Sequence, residues 1–175
     1  MTDIRHMKWW GWGYEDVTFD DSNKPALWPY LARELEVGEI EWTRPVTYEA
    51  VKLPAQNNHE GFLNEVRKTL NESQVLDDKK TRLIHAAGKS FRDLWKLRHG
   101  IVEHAPDYVI FPESEADVVA IVRAAHEHDV VLIPFGGGSN IAGCLKPHDQ
   151  SGRMVVSLDM CRMHRVLEVD PRSLT

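Results

Sequence analysis

The sequence predicts an α+β fold: a helical first stretch followed by a small parallel or mixed sheet with its own helix. Two observations carry this. Up to about residue 104 the apolar residues recur mainly at helical spacing, as in Phe62, Val66 and Leu70. Beyond that point the period changes, and two short apolar runs at 108–112 and 130–135 flank one amphipathic helix in a βαβ pattern. The predicted organisation is an N-terminal aromatic and helical extension over residues 1–104 and an α/β lobe over residues 105–175.

The extension opens on Lys8-Trp9-Trp10-Gly11-Trp12-Gly13-Tyr14. Such aromatic density with two glycines reads as a bent, extended segment, either packed on an apolar surface or offered as a stacking platform for a ligand. Pro25 then opens a helix through Leu27, Leu31 and Leu35 that ends near Gly38, matching proline in the first turn and glycine after the last. Residues 41–58 hold Pro45 and Pro54 and read as an extended connector. Phe62, Val66 and Leu70 mark the next helix, and further helix is expected over 77–86 and 91–97.

In the lobe, Tyr108-Val109-Ile110-Phe111-Pro112 has strand length and stops at proline. Ser114 with Asp117 three residues on is a capping-box variant, and Val118, Ile121, Val122 and Ala125 define one buried helical face. Val130-Val131-Leu132-Ile133-Pro134-Phe135 reads as a second buried strand, and 154–158 and 166–169 as two more.

Composition narrows the function. With 42% apolar and 27% charged residues the chain is an ordinary globular one, and its net charge of −6 lacks the concentrated positive surface that nucleic-acid binding needs. Lys89, Arg92, Lys96, Arg98 and His99 read as a solvated helix face. Cys144 and Cys161 are too few for a disulfide framework, which suggests free thiols in a reducing compartment. The polar start is unlike a signal peptide, and no apolar run reaches spanning length. A cytoplasmic protein is expected, with peripheral membrane contact and a homodimer left open.

One feature points to chemistry. Gly136-Gly137-Gly138-Ser139-Asn140 leaves the end of a strand, and three glycines in a row are entropically costly to order. Without Cβ atoms the backbone can approach a ligand and turn successive N–H groups into a concavity suited to a pyrophosphate, with Ser139 and Asn140 as rim donors. The dinucleotide fingerprint fails, because Ile141 stands where its last glycine belongs. The NTPase loop fails too, because Cys144 and Leu145 follow Gly143 instead of Lys and Ser or Thr. A plain tight turn remains the competing explanation.

The runs Pro112-Glu113-Ser114-Glu115-Ala116-Asp117-Val118-Val119-Ala120-Ile121-Val122 and Leu132-Ile133-Pro134-Phe135-Gly136-Gly137-Gly138-Ser139-Asn140 resemble the opening of the FAD-binding domain in the vanillyl-alcohol oxidase and p-cresol methylhydroxylase (PCMH) superfamily. The resemblance implies that the lobe is the first, incomplete part of a PCMH-type FAD-binding domain. It also implies that Pro134, Phe135, Gly136, Gly137, Gly138, Ser139 and Asn140 occupy the loop around the FAD pyrophosphate. The aromatic opening, Leu97-Arg98-His99-Gly100, Pro106-Asp107 and Ser157-Leu158-Asp159 are similar to the alkyldihydroxyacetonephosphate synthase family and its bacterial relatives. The loop departs from that family in having Ser139-Asn140 where Thr-Ser is common.

For the complete enzyme, the resemblance implies ether-lipid synthesis, in which a fatty alcohol replaces the acyl group of acyl-dihydroxyacetone phosphate with no net redox change at the flavin. An FAD-linked oxidoreductase of a 2-hydroxy acid or alcohol is the alternative, and a truncated non-catalytic fragment is the third reading. Family members continue several hundred residues further, so the substrate cap and the family's catalytic residues have no counterpart positions here, and no catalytic residue is assigned. No metal site is expected: His126 and His128 read as a solvated helix end, Cys161 with His164 supplies only two ligands, and Cys144 lacks a base partner.

Overall fold

A computed structural model describes residues 6–40, 43–147 and 152–173. Its centre is a four-stranded mixed sheet of β1 (Val75–Leu76), β2 (Tyr108–Ile110), β3 (Val131–Phe135) and β4 (Val155–Asp159), in the order β1-β2-β4-β3. β4 runs parallel to both β2 and β3, while β1 pairs antiparallel with β2 through Val75–Ile110 and Leu76–Val109. Around it lie α1 (Leu27–Glu34), α2 (Glu60–Val66), α3 (Lys79–Ile84), α4 (Phe91–Arg98) and α5 (Glu115–Glu127). The α+β class read from the sequence is the observed one.

Alternation along the strands divides the apolar side chains between two cores. On one face Tyr108, Ile110, Val156 and Leu158 meet Phe62, Leu63 and Val66 of α2 and Ile121, Ala124 and Ala125 of α5. On the other, Val109, Phe111 and Phe135 meet Leu83 and Ile84 of α3, Leu97 of α4, and Trp9. β2 and β4 are therefore covered on both sides and buried throughout, as parallel strands ordinarily are. The first hundred residues supply most of one covering layer, the α2 part of the other, and an edge strand.

Local chemistry explains most boundaries. Ser114 caps α5 by accepting from the Asp117 amide at 3.1 Å, and Asp117 reaches back to the Glu113 amide at 2.8 Å. That makes the box reciprocal, displaced one residue outward. Asp78 caps α3 through the Lys80 and Thr81 amides, and Ser90 caps α4 through Asp93. The aromatic opening closes on itself through Lys8 N–H to the Gly13 carbonyl and Glu15 N–H to the His6 carbonyl, with Gly13 at φ +77°. Trp9 is buried, whereas Trp12 and Tyr14 stay exposed.

Four expectations need correction. β3 is an edge strand, and only Phe135 in it is buried. Its Val131 amide bonds to Met154 in the β4 direction, so by alternation Leu132 and Pro134 face the open side. Proline, which cannot donate, is tolerated there. Residues 166–169 form no strand: Val166, Leu167 and Val169 are over 70% exposed, and no described strand lies beside them to pair with. Val122 is half-exposed, because the buried stripe of α5 passes through Ile121, Ala124 and Ala125 instead. Lys89 is not on a solvated face but is buried, just ahead of the α4 cap. The expected helix after Pro25 forms, yet it buries none of its residues. Positions 41 and 42 of the predicted connector lie outside the described residues.

Candidate functional site

β3 delivers the chain to the glycine run at the carboxyl end of the parallel strands, with Phe135 paired to Asp159 as the last rung. In open parallel sheets that end is where ligands are held. The three glycines then differ in kind. Gly138 has φ +69°, and a Cβ there would come within 2.6 Å of the Phe135 ring, so the fold itself demands glycine. Gly136 and Gly137 have no positive φ, and a Cβ on either would meet nothing within 4 Å. Packing within the chain gives no reason for glycine at these two exposed positions.

The structure keeps the seven sequence-predicted residues together, Pro134 and Phe135 at the end of β3 and the other five in the turn after it, but gives them different roles. Pro134, Gly136, Gly137 and Ser139 face solvent, Asn140 is partly buried, and Phe135 and Gly138 are buried. The Phe135 side chain points inward and forms the floor of the turn. The Asn140 carboxamide oxygen is spent on the turn itself, accepting from the Ala142 and Cys144 amides at 3.1 and 3.0 Å. Cys144 is exposed. Its amide serves the turn, and its thiol has no part in the arrangement.

Beneath the floor lies a buried polar pair that the sequence did not reveal. His85 is fully buried, with Nδ1 2.7 Å from the Thr81 carbonyl and Nε2 2.8 Å from Asp159 Oδ2. A carbonyl can only accept, so Nδ1 carries a proton. Nε2 lies at hydrogen-bonding distance from the Asp159 carboxyl group. The imidazole ring lies 4.1 Å from the Phe135 ring and 6.0 Å from Phe111. Asp159 also accepts from the Cys161 amide at 2.8 Å, which ties the end of β4 to the same pair. The root of the loop is therefore fixed from below by a buried polar pair in an apolar setting.

The far side of the loop is held by the segment before α4. Lys89 N–H donates to the Asn140 carbonyl at 2.8 Å, and Lys146 Nζ lies 2.6 Å from the buried Asp93 of α4. Hydrogen bonds from Lys146 and Ser90 outweigh the effect of burial and hold the Asp93 carboxyl below its ordinary value. Lys89 itself is pushed down to about 8 by burial, and its ammonium donates to the Lys8 carbonyl at 2.8 Å. Among the described residues no group of three His, Cys, Asp or Glu side chains is placed to hold a metal ion. No helix of the described residues is long and apolar enough to cross a membrane.

The glycine turn at the strand ends is thus open on one side and fixed on the other, with two exposed glycines that no packing within the chain explains. Residues 106–175 match the FAD binding domain family. The chain is similar to alkyldihydroxyacetonephosphate synthases. It is 43% identical over 129 residues to the one from Trypanosoma brucei brucei, covering 73% of this chain and 21% of that protein. It is 37% identical over 158 residues to the one from Dictyostelium discoideum, covering 86% of this chain and 26% of that protein. A solved structure of an alkyldihydroxyacetonephosphate synthase superposes with TM-score 0.84 at 32% identity, over 98% of this chain and 36% of the other. The chain thus spans only about a fifth to a quarter of those two curated relatives.

Proposed function

We propose that this chain holds the pyrophosphate of FAD on residues 134–140, as the first part of a flavoenzyme that makes an ether bond on a dihydroxyacetone phosphate skeleton. The observation that carries the cofactor reading is the pair Gly136 and Gly137. Neither backbone torsion nor internal packing requires glycine there, so the missing side chains are best explained by something outside the chain that approaches the backbone closely. Backbone amides at 136–139 would supply donors to the phosphate oxygens, and the Ser139 hydroxyl can add another. Phe135 and the His85–Asp159 pair would keep the turn in shape without touching the ligand. When bound, the flavin supplies the electron-accepting ring system for the hard chemical step, while this part of the protein supplies binding and orientation. The synthase reading rests on the similarity of the whole chain, aromatic opening included, to synthases much longer than itself.

The cofactor claim is tested by equilibrium dialysis of FAD against the 175-residue chain and its Gly137→Val variant. The wild-type chain is expected to bind saturably and the variant to lose binding. Because the new side chain points into open space, stability should change by no more than about 0.5 kcal/mol. A folded wild-type chain that does not retain FAD would overturn the reading. For the complete protein, the assay is ether formation from a fatty alcohol and acyl-dihydroxyacetone phosphate. Anaerobic bleaching of the flavin by a 2-hydroxy acid, with no ether formed, would instead establish an oxidoreductase.

A further inference from the structure

The aromatic opening and the first turn of α4 lie outside the matched FAD-binding stretch, yet both are joined to the glycine turn. We infer that the segment Gly88–Asp93 is a positioning clamp for that turn, and that Lys89 couples it to the aromatic opening. The inference rests on the proposal that the turn holds the FAD pyrophosphate.

Three contacts make the clamp. The Asn140 carbonyl approaches Gly88 so closely that a Cβ on residue 88 would lie 1.9 Å from the oxygen, a distance no side chain can share. Lys89 N–H donates to that same carbonyl at 2.8 Å. Four residues further on, the carboxylate of Asp93, only 2% exposed, pairs with Lys146 at 2.6 Å and secures the exit of the turn. The stretch 140–146 is thus pinned at its start and its end by one short segment of the extension. Between the pins, Asn140 and Gly143 close local turns, leaving little slack.

Lys89 extends the connection. Its backbone holds the turn while its buried ammonium donates to the Lys8 carbonyl, directly before Trp9. Trp9 is itself buried in the core that contains Phe135. The opening therefore reaches the turn by two routes: through Lys89 to Asn140, and through the shared core to Phe135. On this account the aromatic segment needs no ligand of its own, because it anchors the lysine that steadies the cofactor loop. Gly88 has a specific requirement too. It is glycine because the loop carbonyl sits where its side chain would be.

The test uses the full chain and its Gly88→Ala variant, with residue-resolved hydrogen exchange and FAD dialysis. Alanine must displace the Asn140 carbonyl, so amides over 137–145 should exchange at least about tenfold faster while those of β2 and β4 keep their rates. FAD should bind about tenfold more weakly, the size of effect expected from losing one well-made hydrogen bond and its geometry. If the variant fails to fold, the wild-type chain decides alone. Its Lys89 amide should exchange slowly and slow further when FAD is added. Unchanged loop exchange in a folded Gly88→Ala chain, or a Lys89 amide exchanging at the rate of an open loop, overturns the clamp. A wild-type chain that ignores FAD while Gly88→Ala still loosens the turn would retain the clamp and remove the cofactor proposal.

Discussion

At the scale of single residues, glycine has a different cause at each position of the loop. At Gly138 it answers a left-handed φ and a neighbouring ring, at Gly88 it answers an approaching carbonyl, and at Gly136 and Gly137 it answers nothing in the chain. Only the run itself was legible in the sequence. The separate causes were not, because they depend on what folds back over each residue. Lys89 carries the same lesson. As one of several scattered cations it looked solvated, and its burial follows from a tertiary contact with Lys8 that no local pattern announces. That burial has a measurable sign. Desolvation lowers its value from 10.5 to about 8, so between those limits the unfolded chain holds a proton that the folded chain lacks. Folding is therefore favoured progressively as pH rises through that window, and below it the full cost of burying the cation is present. Relative to a Lys89→Met variant, the wild-type chain should gain up to about 3 kcal/mol of stability between pH 8 and 10.5. Denaturant titrations of both chains at three pH values check this. Parallel pH dependence in the two would refute it.

At the scale of elements, the parts legible in advance were those with a local code. α5 announced itself through Ser114 and Asp117, α2 through its four-residue spacing, and β2 and β4 through apolar runs of strand length. β1 escaped notice because a two-residue strand has no period to read; it exists through its pairing with β2. The edge position of β3 was equally hidden, since an apolar run ending in Pro-Phe does not say which neighbours it will have. One contact between elements offers a sharp measurement. Asp107 accepts from the Val155 amide at 2.7 Å and from the Asn57 amide at 2.8 Å, so one carboxylate joins the start of β4 to the connector before α2. Replacing it with alanine strands two N–H groups. Thermal or denaturant unfolding of Asp107→Ala should show a loss of about 3 kcal/mol. A loss under about 1 kcal/mol would mean that water satisfies both groups instead.

At the scale of the whole molecule, the two predicted stretches share both cores, and the first supplies ties that the second uses. The chain also presents apolar surface. Val119 and Val122 on α5 are about half-exposed, and Val166, Leu167 and Val169 are more so. Leu167 lines the same groove as the first turn of α5. Uncovered apolar area of this kind drives association. Sedimentation velocity should therefore show a concentration-dependent weight-average coefficient for the chain, reduced in a Val122→Lys, Leu167→Glu double variant. A wild-type chain that stays monomeric at every concentration would count against this.

The outward-facing proline of β3 bears on how that surface can be used. A strand laid along this margin can receive a hydrogen bond from Leu132 but none from Pro134, the next outward position. Any such neighbour loses one amide donor two positions before the glycines begin. The margin of the sheet beside the loop therefore offers an added strand fewer hydrogen bonds than the margin further back, which favours leaving the loop accessible.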